Sequence, residues 1–460
     1  MLNPAQPTVA HRSPTARAGQ VLLETLDSST AVVICSLIFA WTIHQAHITI
    51  LNPYWDYVGF TYIAPTLPAV GLIILLITIG SMAMPVRLER PSSVILLFLH
   101  VTVFVPGVTI ALCLRIDSVQ AFAPMLIVLT LVHALTGLVS RNGPAPPDGE
   151  HFVPGPQITL LLIGVWALVS LVLVYVYRDI MQFASLDDVY VQRFAVDRGI
   201  SIMGYVRSYY ANLICPALIA IGLLRKNVLV VAIGTLGCVL SYTIDAQKTA
   251  LAMPVLIIGM YYALVYAGNV AKLVVVPISF LAFVTLVAVL IRSTEIGFFI
   301  QSVFITRGIA IPSLTLVQYQ ELFATYGYTW WSNITGLSLI IPPPPGFATD
   351  PAWPVLGQIV GDHYYGASIN LNANANPYSG EGLAAGGLIG LTVIGIVMAI
   401  FLRIYDLCVA GWDRLFVLLI AVPIGFALSN AHLSTVLVSF GLGAWLLIFS
   451  LYKPGGAKRI

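Results

Sequence analysis

The chain has 460 residues, with 21 basic and 19 acidic side chains and a formal net charge of +2. Hydrophobic residues make up 59% and charged residues 9%, against about 25% charged in a soluble domain. So few charges cannot cover a water-facing surface, which excludes a soluble globular protein, and no basic run suggests a nucleic-acid partner.

Apolar stretches of about 20 residues recur along almost the whole length, the pattern of an all-α polytopic membrane protein; a lipid-facing barrel would show short alternating segments instead. The first residues are polar, with Arg12 and Arg17. The apolar run after them is about 22 long, too long for a signal-peptide core, and reads as a retained first span. Spans are expected at about 29–51, 62–84, 93–114, 119–140, 157–177, 205–223, 227–244, 248–266, 272–291, 381–402, 414–430 and 433–451, about twelve in all. With both termini cytoplasmic, the inner segments carry 13 of the 21 basic residues, each segment at least one, as the positive-inside bias requires. The chain then divides into a cytoplasmic tail over 1–28, nine spans over 29–291 with an outer loop at 178–204, a large outer loop over 292–380, three spans over 381–451, and a cytoplasmic tail over 452–460.

The eight basic residues left outside are Arg115, Arg178, Arg193, Arg198, Arg207, Lys248, Arg292 and Arg307. They run against the bias, so something else should hold them. One candidate is pairing with the acids of the same regions, among them Asp179, Asp187, Asp188, Asp197, Asp245 and Glu295. The other is an anionic ligand at the outer membrane surface, since the arginine fork donates bidentate hydrogen bonds to phosphate.

Within the spans lie Pro65, Pro68, Pro106, Pro216, Pro254, Pro277 and Pro423, most of which are expected to kink their helices, or else are the ordinary prolines that membrane helices tolerate. His44, His47, His100 and His133 read as buried neutral residues bonded to neighbouring helices, or else as a proton relay. Cys35, Cys113, Cys215, Cys238 and Cys408 are scattered without CxxC spacing and read as small hydrophobes. Few other ionisable residues lie at membrane depth, which counts against an ion-coupled transporter.

The long outer stretch holds much of the polar chemistry. Residues 295–326 show helical periodicity and are expected to form one or two helices on the membrane face, interrupted near Pro312. The aromatic cluster Tyr326–Trp331, with Trp330 and Trp331, is either an interfacial belt or a sugar-stacking platform. Pro342–Pro345 forms an extended spacer. Asp362, His363, Tyr364 and Tyr365 follow, then Asn370, Asn372, Asn374 and Asn376, whose amides both donate and accept and suit turns or hydroxyl-rich ligands. Glu381 opens the tenth span.

Several of these features together resemble the Wzy-type oligosaccharide repeat-unit polymerases, relatives of the O-antigen ligases. They are Pro216 before an inner Arg225–Lys226 turn, Asp245-Ala-Gln-Lys248 opening a helix, Arg307-Gly-Ile-Ala-Ile-Pro312 followed by Tyr319 and Phe323, and Asn372-Ala-Asn374-Ala-Asn376 leading to Glu381 and Gly387-Leu-Ile-Gly390. The resemblance implies a GT-C-like membrane fold in the bacterial inner membrane with its active site facing the periplasm. It implies partners too: undecaprenyl-pyrophosphate-linked oligosaccharides, membrane lipid and a Wzz-type chain-length regulator. The donor carries its own leaving group, so neither a nucleotide sugar nor a metal or other cofactor is implied. Carried onto this chain, Arg193, Arg198, Arg207, Lys248, Arg292 and Arg307 would hold the pyrophosphate. Lys248 stands where relatives usually place Arg. Trp330, Trp331, Tyr364, Tyr365, Asn372, Asn374 and Asn376 would meet sugar. His363, Glu381 or Asp362 would take the acceptor proton, with a Glu that complements a helix macrodipole as the plain alternative for Glu381. A ligase passing glycan to a lipid acceptor and a lipid-linked polysaccharide transporter are the competing readings.

Overall fold

The computed structural model describes residues 25–144, 152–183, 201–367 and 371–452. Among them the chain is an all-α bundle without a strand. Among the described residues, nine helices are long and apolar enough to cross a membrane. They are α1 (Ser29–Val58), α3 (Pro91–Ala111), α4 (Ser118–Arg141), α5 (Pro156–Tyr177), α6 (Ile202–Leu224), α7 (Val228–Asp245), α8 (Lys248–Tyr266), α10 (Glu295–Tyr326) and α12 (Tyr378–Cys408). Shorter apolar helices are α2 (Leu67–Met82), α9 (Val275–Leu290), α13 (Arg414–Leu428) and α15 (Leu442–Leu451). Two short helices, α11 (Leu356–Tyr365) and α14 (Leu433–Val438), complete the set used below. The α3 helix is the centre, 94% buried over its apolar window, whereas α5 is 11% buried and stands at the flank.

The expected interruption of α10 at Pro312 does not occur: one helical stretch runs from Glu295 to Tyr326. Nor does it lie loose on a face. Ser313 donates to the Thr102 carbonyl at 3.2 Å, and Leu316 fills the space beside Gly107, both on α3. The chain absorbs the proline by widening. A π-turn over Gln301–Ala310 precedes Pro312, and others over His47–Leu51, Tyr210–Ile214 and His100–Phe104 precede Pro53, Pro216 and Pro106. A proline has no N–H to donate, and its ring strikes the carbonyl four residues back. An extra residue in the preceding turn moves that carbonyl aside.

The second departure lies in α12. Gly386 and Gly387 leave the helical region, Gly387 with φ +57°. Gly382 lies against the Leu391 Cα, and a Cβ on Gly390 would meet the Gly382 carbonyl at 2.2 Å. Residues nine apart on a straight helix are separated by about 13 Å, so the Tyr378–Ala385 turn is folded back on the remainder. The carbonyls released by the break are satisfied from outside the helix: the Thr329 amide donates to Ala384 at 2.9 Å and the Trp330 amide to Ala385 at 2.8 Å. Irregular backbone within an apolar bundle needs such partners. The expected span from Glu381 therefore becomes a folded-back turn followed by a straight helix from Leu388.

Histidines tie the bundle centre together. Ser36 Oγ on α1 is 2.9 Å from His100 Nε2, and His100 Nδ1 on α3 is 3.0 Å from His133 Nε2 on α4. All five cysteines are free.

Candidate functional site

Two polar centres emerge, joined by α14. The first is a cleft of about 280 Å³ between α6, the α7–α8 junction and the turn after α14. Its polar lining is Arg207, Ser208, Asn212, Asp245, Gln247 and Ser439. Residues 245–248 are brought in by a tight reversal. Ala246 takes a left-handed φ of 52°, closing α7, and the Asp245 carboxylate accepts the Gln247 amide at 3.0 Å. Lys248 then becomes the first residue of α8, where the helix dipole is positive. Arg207 Nε lies 3.4 Å from Asp245 Oδ2, their side chains 15% and 9% exposed. Arg207 Nη1 and Ser208 Oγ are fully enclosed without a hydrogen-bond partner. Tyr209 Oη donates to the Val438 carbonyl at 2.8 Å and fixes α6 to the end of α14.

The second centre is Glu381. Its side chain is buried, and both carboxylate oxygens accept backbone amides at the start of α14: Leu433 N at 2.7 Å and Ser434 N at 2.9 Å. Trp331 Nε1 donates to the Glu381 carbonyl at 2.9 Å. Beside the carboxylate stands His432, whose enclosed Nε2 has no partner and presses on Gly380; a Cβ at Gly380 would come within 1.9 Å of it. Burial pushes the His432 pKa down, and the Glu381 charge opposes this. Glu381 thus complements a helix dipole, as the plain alternative has it, but the helix is α14 rather than its own. Six residues of helix, about 9 Å, separate this centre from Ser439 in the cleft.

Several of the basic residues expected on the outer side have acidic partners. Arg207 pairs with Asp245 and Arg178 with Asp179 (3.6 Å), while Arg115 pairs with both Asp117 (2.5 Å) and Glu321 (2.6 Å). Arg193 and Arg198 lie outside the described residues. Arg292 is exposed and donates to the Val289 carbonyl at 3.0 Å, satisfying the end of α9. Arg307 is exposed on the π-turn of α10.

The chain matches no protein-family model, no curated protein and no solved structure.

The residues expected to meet sugar divide. Tyr364 Oη reaches the Gln318 carbonyl (3.3 Å) and Glu321 Oε2 (3.4 Å); burial and then the Glu321 charge push its pKa up. Tyr365 Oη donates to Val58 O at 3.1 Å and accepts from Gln318 Nε2 at 2.8 Å. These two tyrosines tie α11 to α10 and α1. Asn376 is buried and bridges the Pro312 carbonyl and the Ser379 amide. Asn372 and Asn374 are exposed while Ala373 and Ala375 are buried, the alternation of an extended chain. Trp330 is 48% exposed. His363 is exposed, its ring edge-on to Tyr326 and Tyr364, and Asp362 Oδ1 is enclosed without a partner.

The sequence reading assigned no role to His432, Ser439 or the polar face of α6 beyond Arg207. Asn430 and His432, between two apolar stretches, are the only trace they leave in the sequence.

Proposed function

We propose that the protein is a polymerase joining undecaprenyl-pyrophosphate-linked oligosaccharide repeat units into a surface polysaccharide at the periplasmic face of the bacterial inner membrane. The observation that carries this reading is the cleft. A largely buried guanidinium with an unpartnered Nη1 shares the cleft lining with Gln247, the residue just before Lys248 and the positive end of α8. Exposed Ile202, Leu251 and Val438 lie on the elements around it and offer a lipid-facing rim for a polyprenyl chain.

In this reading Lys248 and the positive end of α8 hold the donor pyrophosphate and stabilise it as it departs. Arg207 binds the part of the donor next to it, and Arg193, Arg198, Arg292 and Arg307 are further ligands. The acceptor hydroxyl loses its proton to a base, Glu381, His363 or Asp362. Both oxygens of Glu381 are already occupied by the Leu433 and Ser434 amides, which leaves Asp362 and His363 the freer candidates for that step and Glu381 to hold α14.

The test is glycan analysis of a strain lacking the gene. A polymerase leaves surface glycan as single repeat units, restored to polymer by the intact gene and not by Arg207→Ala or Lys248→Ala protein that still inserts. Unchanged polymer length sinks the proposal. Free polymer that fails to reach its lipid acceptor identifies a ligase, and repeat units trapped on the cytoplasmic side identify a transporter.

A further inference from the structure

The lining of the cleft says more than the presence of a cation. Beside Arg207 stands the Asp245 carboxylate, 3.4 Å away; it offsets the positive charge and repels any anion brought against it. A pocket devoted to phosphate has no use for a carboxylate. The remaining polar lining is hydroxyl and amide: Ser208, Asn212, Gln247 and Ser439. Such groups both donate and accept, as sugar hydroxyls do.

Two aromatic residues, Tyr205 and Phe440, stand in the same lining and can cover the apolar C–H faces of a ring. The volume of about 280 Å³ falls just below the roughly 300–1,000 Å³ of ordinary small-molecule sites, so it suits one ring rather than an oligosaccharide. Arg207 and Ser208 line the cleft while Arg207 Nη1 and Ser208 Oγ lack any hydrogen-bond partner, so a turn of either side chain toward a bound hydroxyl satisfies an atom that is otherwise unpaired. Asn212 spends an amide hydrogen on the Ser208 carbonyl at 3.0 Å, which fixes the plane of its amide.

We infer that the cleft is a subsite for a single neutral sugar ring, held through its hydroxyls by Arg207, Ser208, Asn212, Gln247 and Ser439 between Tyr205 and Phe440. This rests on the polymerase reading only in naming that ring as the lipid-linked sugar next to the pyrophosphate. The phosphates would then lie outside the cleft, toward Lys248 and the start of α8. Recognition of the first sugar and of the charged linker is thereby divided between α6 and α8.

The experiment uses full-length protein in lipid nanodiscs and two photoreactive probes of equal chain length, a diazirine-bearing decyl glucoside and a diazirine-bearing decyl phosphate. Cross-links are mapped by mass spectrometry. The glucoside probe is expected to label residues 201–212 or 439–440, and unlabelled decyl glucoside to displace it at lower concentration than decyl phosphate does. Ser208→Ala combined with Gln247→Ala removes two hydrogen bonds and should raise the displacing concentration about tenfold. Gln247 is exposed, so Gln247→Ala alone, expected to fold, should show a several-fold part of the effect. Preferential labelling by the phosphate probe, labelling unchanged in both variants, or no labelling of these segments overturns the inference. Glucoside occupancy in a protein whose loss leaves polymer length unchanged refutes the polymerase reading alone. Polymerisation without glucoside occupancy refutes the subsite alone.

Discussion

Replacing Glu381 by alanine removes the two acceptors that hold the start of α14. Both bonds are short and charge-assisted, at 2.7 and 2.9 Å to the Leu433 and Ser434 amides, and the carboxylate is buried. A hydrogen bond to a charged group contributes about 1.5–3 kcal/mol, and a buried amide left unpaired costs a similar amount. The expected loss is therefore about 3–5 kcal/mol, or a melting decrease on the order of 5 °C for a chain of this size. Glu381→Gln keeps one acceptor oxygen but turns an NH2 toward a backbone N–H, so it should cost about 1–3 kcal/mol. The assay is thermal unfolding of solubilised protein followed by tryptophan fluorescence, for which Trp331 is a local reporter, with hydrogen exchange at Leu433 and Ser434 as the specific readout. Glu381→Ala protein that melts like the wild type with both amides still protected refutes the clamp. A Gln variant that melts normally yet makes no polymer assigns Glu381 to the chemistry instead.

Other perturbations follow from the same geometry. A Cβ at Gly361 would sit 1.6 Å from the Leu371 carbonyl. Gly361→Ala must therefore push α11 away from the Asn372–Asn376 segment, costing more than about 2 kcal/mol in a denaturation series. At Gly387, φ is +57° and a Cβ would meet the Tyr328 hydroxyl at 2.7 Å, so Gly387→Ala should lower the melting temperature and weaken protection of the Thr329 and Trp330 amides. Arg115→Ala breaks pairs whose side chains are 36–48% exposed; solvent screening leaves them little weight in stability, so the melting temperature should stay near the wild-type value, and a large fall would contradict that. The folded His432 pKa lies below the ordinary 6.5, so the unfolded chain binds the extra proton first on acidification. Its contribution is complete above pH 6.5 and is lost as pH falls toward the folded value. His432→Gln should flatten the dependence of melting temperature on pH in that range relative to wild type, and identical slopes would refute it.

Membrane class and most helices were legible because lipid selects by length and composition, and a run such as Leu160–Tyr177 can do little but form an apolar helix. The Arg207–Asp245 pairing was also legible as one of two alternatives, because acids and bases share those loops. Less visible was how π-turns before Pro106, Pro216 and Pro312 let helices continue where proline suggests a break. That outcome depends on neighbours that hold the widened turn in place.

By itself the sequence determined an all-α bundle with little charge at depth, and a concentration of arginine, asparagine and aromatic residues outside the apolar runs. The tertiary structure alone decided what those polar residues do. Periodicity reports which face of a helix is apolar, but hydrogen bonds between segments far apart in the chain carry no local pattern. Glu381 reads as the first residue of a span, yet its carboxylate is occupied by amides 52 and 53 residues later. Asn376 sits in an Asn-rich stretch suited to sugar, yet its amide serves the Pro312 carbonyl. Ser439 and Phe440 have no motif of their own and enter the cleft only because α14 is held at one end by Glu381 and at the other by Tyr209.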